Sequence, residues 1–332
     1  MGKTKYIFSS GELKRQDNSL NFRSGGKNNY IPIEQISEIY CFGEVTLNSR
    51  LLDFLASNGV LLHFFNYFGN YSGTYYPREG MISGRLLVRQ VNASEFDRLK
   101  VAKPIVRGIA ENIDEVLYHY YKHEKREVKE VIDWIRREVP GKIDRASQIK
   151  ELLQIEGEIW MRFYSTFKYF LPEDFVMNKR VKRPPDNPIN AMISFGNSLL
   201  YSKTISVIYE THLNQTVSFL HEPSEGRFSL SLDMCEVFKP IIVFRTIFNL
   251  VNLKKIQVNK HFEKNLNYCM LNEEGRKVFL NEFNSRLDSV FENKQLKRKT
   301  SYRYAMKLDC YKLIKFLLED KPFVPFSLKE MK

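Results

Sequence analysis

Hydrophobic and polar positions follow two different patterns along the 332 residues of the chain. In residues 1–82, short apolar runs such as 6–8 and 39–42 are separated by turn-forming residues. Runs of this length between turns are typical of β-strands. Nine of the 16 glycines also lie in this part. The pattern predicts a small β-rich domain with one helix over 51–56, capped by Asn48.

From about residue 84 onward, apolar residues recur with the 3.6-residue period of an α-helix. The clearest stripe runs from Leu99 to Val116 and contains Pro104, where a kink is expected. The predicted fold class is therefore α+β, a small N-terminal β-rich domain over 1–82 followed by a larger all-α domain over 83–332. Further helices are predicted around residues 128–135, 146–170, 189–210, 229–252, 276–292 and 301–318.

The basic residues are unevenly divided between these two parts. The chain carries a formal charge of +12, yet residues 1–82 hold eight Lys and Arg against seven Asp and Glu. The remainder holds 43 against 32, with dense basic runs over 179–183 and 294–315. A surplus confined to one domain is typical of a protein that binds a polyanion such as nucleic acid. A solvated lysine-rich face is the alternative for either run.

Other features exclude several classes of protein. The longest apolar stretch, 240–253, is interrupted by Arg245 and is too short to cross a bilayer. The first residues lack an apolar signal-peptide region. Four widely spaced cysteines without a CxxC pair argue against a zinc ribbon or a dense disulfide framework. We therefore expect a cytoplasmic protein that does not bind a membrane.

Glu156 interrupts the apolar stripe of a predicted helix. Residues 152, 156, 160, 163 and 167 share one face, and the other four are Leu, Trp, Phe and Phe. An ionised carboxylate among such side chains is costly unless something pairs with it. The alternative is a glutamate at the edge of the stripe that reaches out to solvent.

Asp233 and Glu236 are spaced i and i+3, so both carboxylates project from nearly one face of a helix and repel each other unless a cation lies nearby. The alternative is a first-turn pair stabilised by the helix dipole. His221 ends a short apolar run 12 residues before Asp233. Taken alone, such a histidine is more often structural.

Glu156, His221, Asp233 and Glu236 together form a set of oxygen donors plus one imidazole. This set suits Mn²⁺ or Mg²⁺, whereas structural zinc would need several thiolates or imidazoles. A divalent ion beside a basic surface would serve phosphoryl transfer, and the basic runs would hold backbone phosphates.

Motifs spread over almost the whole chain resemble the CRISPR-associated endonuclease and integrase of spacer acquisition, the Cas protein designated one. No single motif is decisive, but their order along the chain is specific. The matching stretches are residues 11–20, 42–45, 62–69, 76–79, 155–157, 190–201, 219–221, 226–233 and 311–313.

The resemblance implies a role for each domain. Residues 1–82 would mediate homodimerisation, and the helical domain would carry the catalytic, metal-binding and DNA-binding site. The ligands of Mn²⁺ or Mg²⁺ would be Glu156, His221 and Glu236. Asp233 would be a supporting residue or an alternate ligand. Some relatives carry Asp at the position of Glu236, which affects only the coordination geometry.

The resemblance also implies an activity and a partner. The protein would be a metal-dependent DNA endonuclease and integrase that inserts short DNA fragments, called spacers, into a CRISPR array. The reaction would be a transesterification in which the 3′-hydroxyl of the fragment attacks a repeat phosphodiester. Two homodimers would assemble around a dimer of the small ferredoxin-like Cas protein designated two, which makes a heterohexamer.

Some interpretations stay open at the level of sequence. Arg227 would either hold a phosphate or pair with Glu225. A stand-alone structure-specific nuclease of DNA repair would use the same site with water, while a non-catalytic DNA-binding scaffold would use the carboxylates only structurally. RNA binding is a further alternative, although no RNP-type motif favours it. The candidate phosphate contacts are Lys179, Arg180, Lys182, Arg183, Arg227, Lys297, Arg298 and Lys299.

Overall fold

The computed structural model describes residues 3–78, 81, 83–182, 184–223, 226–265, 268–293 and 296–331. The chain forms two compact units, Met1–Ile82 and Ser83–Lys332. The first unit is rich in β-strands and the second is helical, which confirms the predicted fold class.

The described residues of the first unit form two four-stranded sheets and one α-helix. In the first sheet, β1, β5 and β7 are parallel and β8 is antiparallel to β7, in the order β1-β5-β7-β8. The second sheet has the order β4-β3-β2-β6. The elements are β1 (Lys3–Ile7), β2 (Gly11–Gln16), β3 (Ser19–Ser24), β4 (Lys27–Pro32), β5 (Ile36–Cys41), β6 (Val45–Thr46), α1 (Ser49–Ser57), β7 (Leu61–Phe65) and β8 (Tyr71–Tyr75).

The helix of this unit begins and ends as its sequence indicates. The Asn48 side chain accepts a hydrogen bond from the backbone N–H of Leu51 at 3.0 Å, as expected of an N-cap residue. Gly59, with a φ of +64°, reverses the chain after the helix, a conformation that favours glycine. Leu51 and Leu55 pack in one core with residues of both sheets, including Leu13 and Ile39.

The second unit contains eleven described α-helices. They are α2 (Gly84–Phe96), α3 (Arg98–Lys122), α4 (Lys129–Arg137), α5 (Val139–Arg145), α6 (Ile149–Ser165), α7 (Pro188–Tyr209), α8 (Ser229–Glu236), α9 (Arg245–Asn252), α10 (Val258–His261), α11 (Glu273–Asp288) and α12 (Tyr302–Glu319). A π-helical segment, Pro240–Phe244, separates α8 from α9. Short 3₁₀ turns of this unit occur at Arg126–Val128, Phe167–Tyr169, Glu173–Phe175 and Leu328–Met331, and the first unit has one at Ile33–Gln35.

Two details of this unit depart from the predicted helices. The helix predicted over 276–292 ends at Asp288, and the chain continues into a strand that pairs with its neighbour. Among its described residues, the unit holds two short antiparallel strand pairs that the helical period did not indicate, β9 (Phe262–Lys264) with β10 (Cys269–Leu271), and β11 (Val290–Asn293) with β12 (Arg298–Ser301). The helix predicted over 229–252 is interrupted after Glu236, four residues before Pro240, which has no N–H to donate back to the helix.

The core of the second unit forms around α7 and an aromatic cluster. Nearly every side of α7 is buried, as expected of a helix that is apolar all round. Phe163 on α6 packs against Phe244 with ring centroids 5.1 Å apart, and Phe167 packs against Phe248 at the same separation. These contacts fix α6 against the segment that follows α8.

The cysteines and the described helices bear on the predicted compartment. All four cysteines are free and buried. Among the described helices, none combines the length and the apolarity needed to span a bilayer.

Candidate active site

One cavity of about 590 Å³ in the helical unit is lined by three of the four predicted acidic and imidazole side chains. Glu156 reaches it from α6, His221 from the loop before α8, and Glu236 from the last residue of α8. Lys179 and Lys182 also line the cavity. Its wall therefore combines carboxylates and one imidazole with basic side chains.

The fourth residue, Asp233, does not line the cavity. It is fully buried on α8 and accepts backbone hydrogen bonds from Phe219 at 2.6 Å, Leu220 at 2.9 Å and His221 at 2.9 Å. Its Oδ1 atom also lies 2.9 Å from Nδ1 of His221. Because Nδ1 is engaged in this contact, Nε2 is the ring nitrogen left for a ligand or substrate.

The loop that carries His221 is also held from its other side. The Arg98 guanidinium donates to the carbonyl oxygen of Phe219 at 2.6 Å and to that of His221 at 3.0 Å. Ser94 donates to the carbonyl oxygen of Ser218 at 2.6 Å. Hydrogen bonds from α2, α3 and α8 thus give an irregular segment a defined position. The sequence offered no signal for Arg98, because it lies 123 positions before His221.

The electrostatics of His221 and Glu156 reflect their burial and their neighbours. Burial alone would lower the pKa of His221, but the hydrogen bond and the charge of Asp233 outweigh it, so the pKa is raised above 6.5. Burial, followed by repulsion from Glu236, raises the pKa of Glu156 from 4.5 to about 7, against the opposing charges of Lys239 and His221. Two carboxylates that repel each other in one cavity favour a nearby cation.

Lys239 is a member of the site that the sequence reasoning missed. Its ammonium group pairs with Oε1 of Glu236, three residues earlier. Burial would lower the pKa of Lys239, but the charge of Glu236 outweighs it and the pKa is raised. The signal available in the sequence was the i, i+3 spacing from Glu236 within an apolar stretch.

Two further polar side chains line the cavity. Burial raises the pKa of Tyr164 to about 12, so this phenol is neutral at physiological pH. The buried Oδ1 of Asn197 accepts no hydrogen bond from any residue that the structure describes. Asn197 lies within the 190–201 motif, although the motif by itself assigned it no role.

The donor chemistry of the cavity fits a hard divalent cation. Oε2 of Glu236 is buried and has no hydrogen-bond partner among the described residues, so it can still serve as a ligand. Carboxylate oxygens with one imidazole nitrogen are a suitable set for Mn²⁺ or Mg²⁺. In the described part of the chain, however, no three His, Cys, Asp or Glu side chains already stand as a metal-binding cluster. Lys239 pairs with the other oxygen of Glu236.

Only some of the predicted phosphate contacts line the cavity. Lys179 and Lys182 are exposed at the cavity. Arg180 also lines it but is largely used by the fold, donating to Asn190 Oδ1 at 3.1 Å and Ser194 Oγ at 2.8 Å. Burial lowers the pKa of this guanidinium. Arg183, Glu225 and Lys294 lie outside the described residues.

The remaining basic candidates do not line the cavity. Arg227 is exposed and donates to the carbonyl oxygen of Glu222 at 3.2 Å. Lys297, Arg298 and Lys299 are exposed on the hairpin of β11 and β12, where Arg298 contacts the hydroxyl of Tyr304 at 3.2 Å. Of the described residues in the two basic runs of the sequence, only those of the first run line the cavity.

The chain is similar in sequence to a known protein family. The model of the family described as CRISPR associated protein Cas1 matches residues 5–285. The chain belongs to this family. Two Cas1 relatives align with 98% of the chain, so the comparison covers both the β-rich unit and the helical unit.

Individual Cas1 relatives are similar over nearly their full length. CRISPR-associated protein Cas1 1 of Methanobrevibacter ruminantium is 43% identical over 328 residues, which covers 98% of each chain. CRISPR-associated endonuclease Cas1 2 of Thermodesulfovibrio yellowstonii is 44% identical over 329 residues, covering 98% of this chain and 99% of the relative. The solved structure of the Cas1 protein TM1797 from Thermotoga maritima is 38% identical and superposes with a TM-score of 0.88, covering 97% of this chain and 98% of that one.

Proposed function

We propose that this protein is a metal-dependent DNA endonuclease and integrase that inserts short DNA fragments into a CRISPR array. The observation that carries the proposal is the convergence of Glu156, Glu236 and an Asp233-oriented His221 on one cavity beside exposed lysines. Membership of the Cas1 family supports it, and several relatives are named endonucleases.

The proposed reaction is a transesterification at a repeat phosphodiester. The 3′-oxygen of the fragment forms a bond to phosphorus, and the bond from phosphorus to the 3′-oxygen of the repeat strand breaks. The attacking hydroxyl loses a proton and the departing 3′-oxygen gains one. Water in place of the hydroxyl would give hydrolysis at the same cavity.

The residues in and around the cavity would have different roles in this reaction. Glu156, Glu236 and Nε2 of His221 would hold Mn²⁺ or Mg²⁺, which when bound would stabilise the charge of the transferring phosphoryl group. Asp233 keeps the His221 ring in orientation, so its role is to position a ligand. Lys179 and Lys182 would hold backbone phosphates next to the reacting one.

The assembly is part of the same proposal. The β-rich unit would mediate homodimerisation, and two homodimers would bind a dimer of the small partner Cas2 to form a heterohexamer. The support is the resemblance of the whole chain, including residues 11–20 and 62–69 of the first unit, to Cas1 proteins. DNA fragments, branched DNA and the leader-repeat junction would be the nucleic-acid partners.

The test is the joining of a labelled short DNA duplex to a plasmid that bears a leader and a repeat. Reactions contain Mn²⁺, Mg²⁺ or EDTA, with and without Cas2. We expect metal-dependent joining that falls by at least about 10³-fold in Glu156→Ala and His221→Ala, because each change removes a side chain of the reacting cavity. Both variants should retain the circular dichroism spectrum and the oligomeric mass of the unmodified protein.

Glu158→Gln is the matched control. This glutamate lies on the same helix as Glu156 but pairs with Lys142 at 2.8 Å and Arg162 at 3.1 Å, and it does not line the cavity. It should join DNA at the unmodified rate. Strand joining retained by either cavity variant would refute the assignment of the site. Cleavage of branched DNA without joining, even with Cas2 present, would indicate a structure-specific nuclease instead.

A further inference from the structure

The C-terminal segment 321–331 is fixed to the helical unit by side chains of two helices. The backbone N–H of Phe326 donates to Oδ2 of the buried Asp309 on α12 at 2.7 Å. Lys329 pairs with Asp114 on α3 at 3.2 Å. Phe323, Phe326 and Leu328 are buried. This tail is therefore an ordered part of the helical core.

Asn112 joins the tail to the end of the helix that carries Glu236. The side chain is fully buried on α3, and its Nδ2 donates to the carbonyl oxygens of Val237 at 3.0 Å and Phe326 at 3.1 Å. Its Oδ1 accepts from the backbone N–H of Leu328 at 2.8 Å. Val237 directly follows Glu236, so one amide links the tail to the backbone next to the cavity.

Apolar contacts also join the tail and α3 to residues 237 and 238. The ring of Phe326 stacks on that of Phe238 with centroids 5.4 Å apart and an interplanar angle of 20°. A Cβ added at Gly108 would lie 3.1 Å from Pro325 and 3.4 Å from Val237, so α3, the tail and residue 237 approach one another closely there. Residues 237 and 238 are thus held between α3 and the tail.

The end of α8 needs such external support. The helix has only eight residues, and helices this short are positioned by tertiary contacts more than by their own hydrogen bonds. Pro240 cannot donate a hydrogen bond back to α8, and the segment after it is π-helical. A displacement of residues 237 and 238 would consequently move Glu236, and a displacement of about 1 Å costs on the order of 100-fold in rate at a reacting centre.

We propose that Asn112 and Phe326 are positioning residues that hold Glu236 in the cavity, so the C-terminal tail is part of the working site although it does not line it. The inference rests on the proposed function for its catalytic consequence. Its structural consequence, a fixed end of α8, can be measured without DNA or metal.

The experiment compares Asn112→Ala and Phe326→Leu with Lys329→Met. Lys329→Met removes the ion pair between the tail and Asp114 on α3. This ion pair involves neither Val237 nor Phe238. We expect each of the first two variants to lower the kcat of DNA joining by about 10-fold to 100-fold while the KM for the fragment changes by less than about threefold. Lys329→Met should keep the unmodified kcat. Phe326→Leu keeps the proposal testable if Asn112→Ala does not fold.

Hydrogen–deuterium exchange of the free proteins in EDTA is the second measurement. Peptides covering residues 233–244 should exchange about tenfold faster in Asn112→Ala and Phe326→Leu, and at the unmodified rate in Lys329→Met. Unchanged exchange and unchanged kcat in the first two variants would overturn the proposal. So would an equal effect in Lys329→Met, since the tail would then act only on general stability.

The two proposals fail in different ways. If the unmodified protein does not join or cleave DNA under any condition, the proposed function fails, and the exchange experiment still decides whether the tail fixes α8. If the unmodified protein is active and the variants match the control in both measurements, only the positioning role fails.

Discussion

At the scale of single residues, the four candidate side chains have unlike environments. Asp233 is fully satisfied by three backbone N–H groups and the ring of His221. Glu156 is largely buried beside Glu236 and holds its proton more tightly than an ordinary glutamate. Carboxylates that cost stability in the free protein and line a cavity are typical of functional sites. Asp233 is therefore held by contacts within the fold, whereas Glu156 is the side chain that is exposed to the cavity.

The raised pKa of Glu156 predicts how the metal-free protein responds to pH. Between pH 4.5 and about 7 the unfolded chain has released this proton while the folded protein retains it, so this residue lowers stability as pH rises through that window. Glu156→Gln removes the effect. At pH 8 in EDTA its free energy of unfolding should exceed that of the unmodified protein by about 2 kcal/mol, and at pH 4 the two should be equal. Urea unfolding at both pH values measures this.

The pKa of Glu158, on the same helix, is shifted in the opposite direction to that of Glu156. Burial would raise its pKa, but hydrogen bonds from Lys142 and Arg162 outweigh it and the pKa is lowered. Its contribution to stability is therefore present above the unfolded pKa and is lost as pH falls, so Glu158→Gln should be slightly less stable at pH 8. A Glu156→Gln variant that is also less stable at pH 8 would contradict the prediction.

At the scale of elements, the site depends on how closely helices pack around the segment after α8. A Cβ added at Gly196 on α7 would lie 2.6 Å from Cγ1 of Val243 and 2.9 Å from Cζ of Phe279. The glycine therefore allows α7 to approach both the π-helical segment and α11. This close packing constrains Val243 in the segment that follows α8.

Two glycines within helices, Gly196 and Gly157, allow the energetic effect of close helix packing to be measured. Gly196→Ala should lower the free energy of unfolding by about 1–3 kcal/mol, because Val243 and Phe279 must move. Gly157→Ala on α6 should raise it by up to about 1 kcal/mol, since an added Cβ meets nothing within 4 Å and alanine favours a helix. Denaturant unfolding of both variants measures the difference. Equal effects would show that the close contact at Gly196 has no energetic consequence.

At the scale of the whole molecule, two groups of exposed basic side chains lie in the helical unit, which holds most of the charge surplus. One borders the candidate cavity through Lys179 and Lys182, and the other is the hairpin with Lys297, Arg298 and Lys299. Phosphate contacts release counterions and make binding depend on salt. The two groups can therefore be distinguished by their separate contributions to the salt dependence of DNA binding.

The double variant Lys179→Ala/Lys182→Ala should bind duplex DNA less tightly and lower the slope of log K against log salt by about 2, because each lysine that contacts a phosphate contributes about 0.9. Fluorescence anisotropy at several salt concentrations measures this slope. The exposed pair Lys14 and Lys27 of the first unit, changed to alanine, is the control and should leave the slope unchanged. An unchanged slope in the Lys179/Lys182 variant would exclude these lysines as phosphate contacts.

The sequence by itself determined the type of each unit and the residues worth testing. Short runs between turns and the 3.6-residue period are local consequences of backbone geometry, so the β-rich part, the helical part and the Asn48 cap followed from them. Glu156 was recognisable because it is a carboxylate on an apolar stripe, and Asp233 and Glu236 because of their spacing.

Only the tertiary structure decided which groups meet. Spacing places Asp233 and Glu236 on one helix face, yet the packing of α8 turns Asp233 to the loop of His221 and Glu236 to the cavity. The sequence predicts Arg180 to be a phosphate contact, but in the structure contacts with α7 keep its side chain largely buried. Asn112 and Arg98 act on residues more than 100 positions away. A one-dimensional pattern records local geometry, whereas these contacts arise from the packing of distant elements.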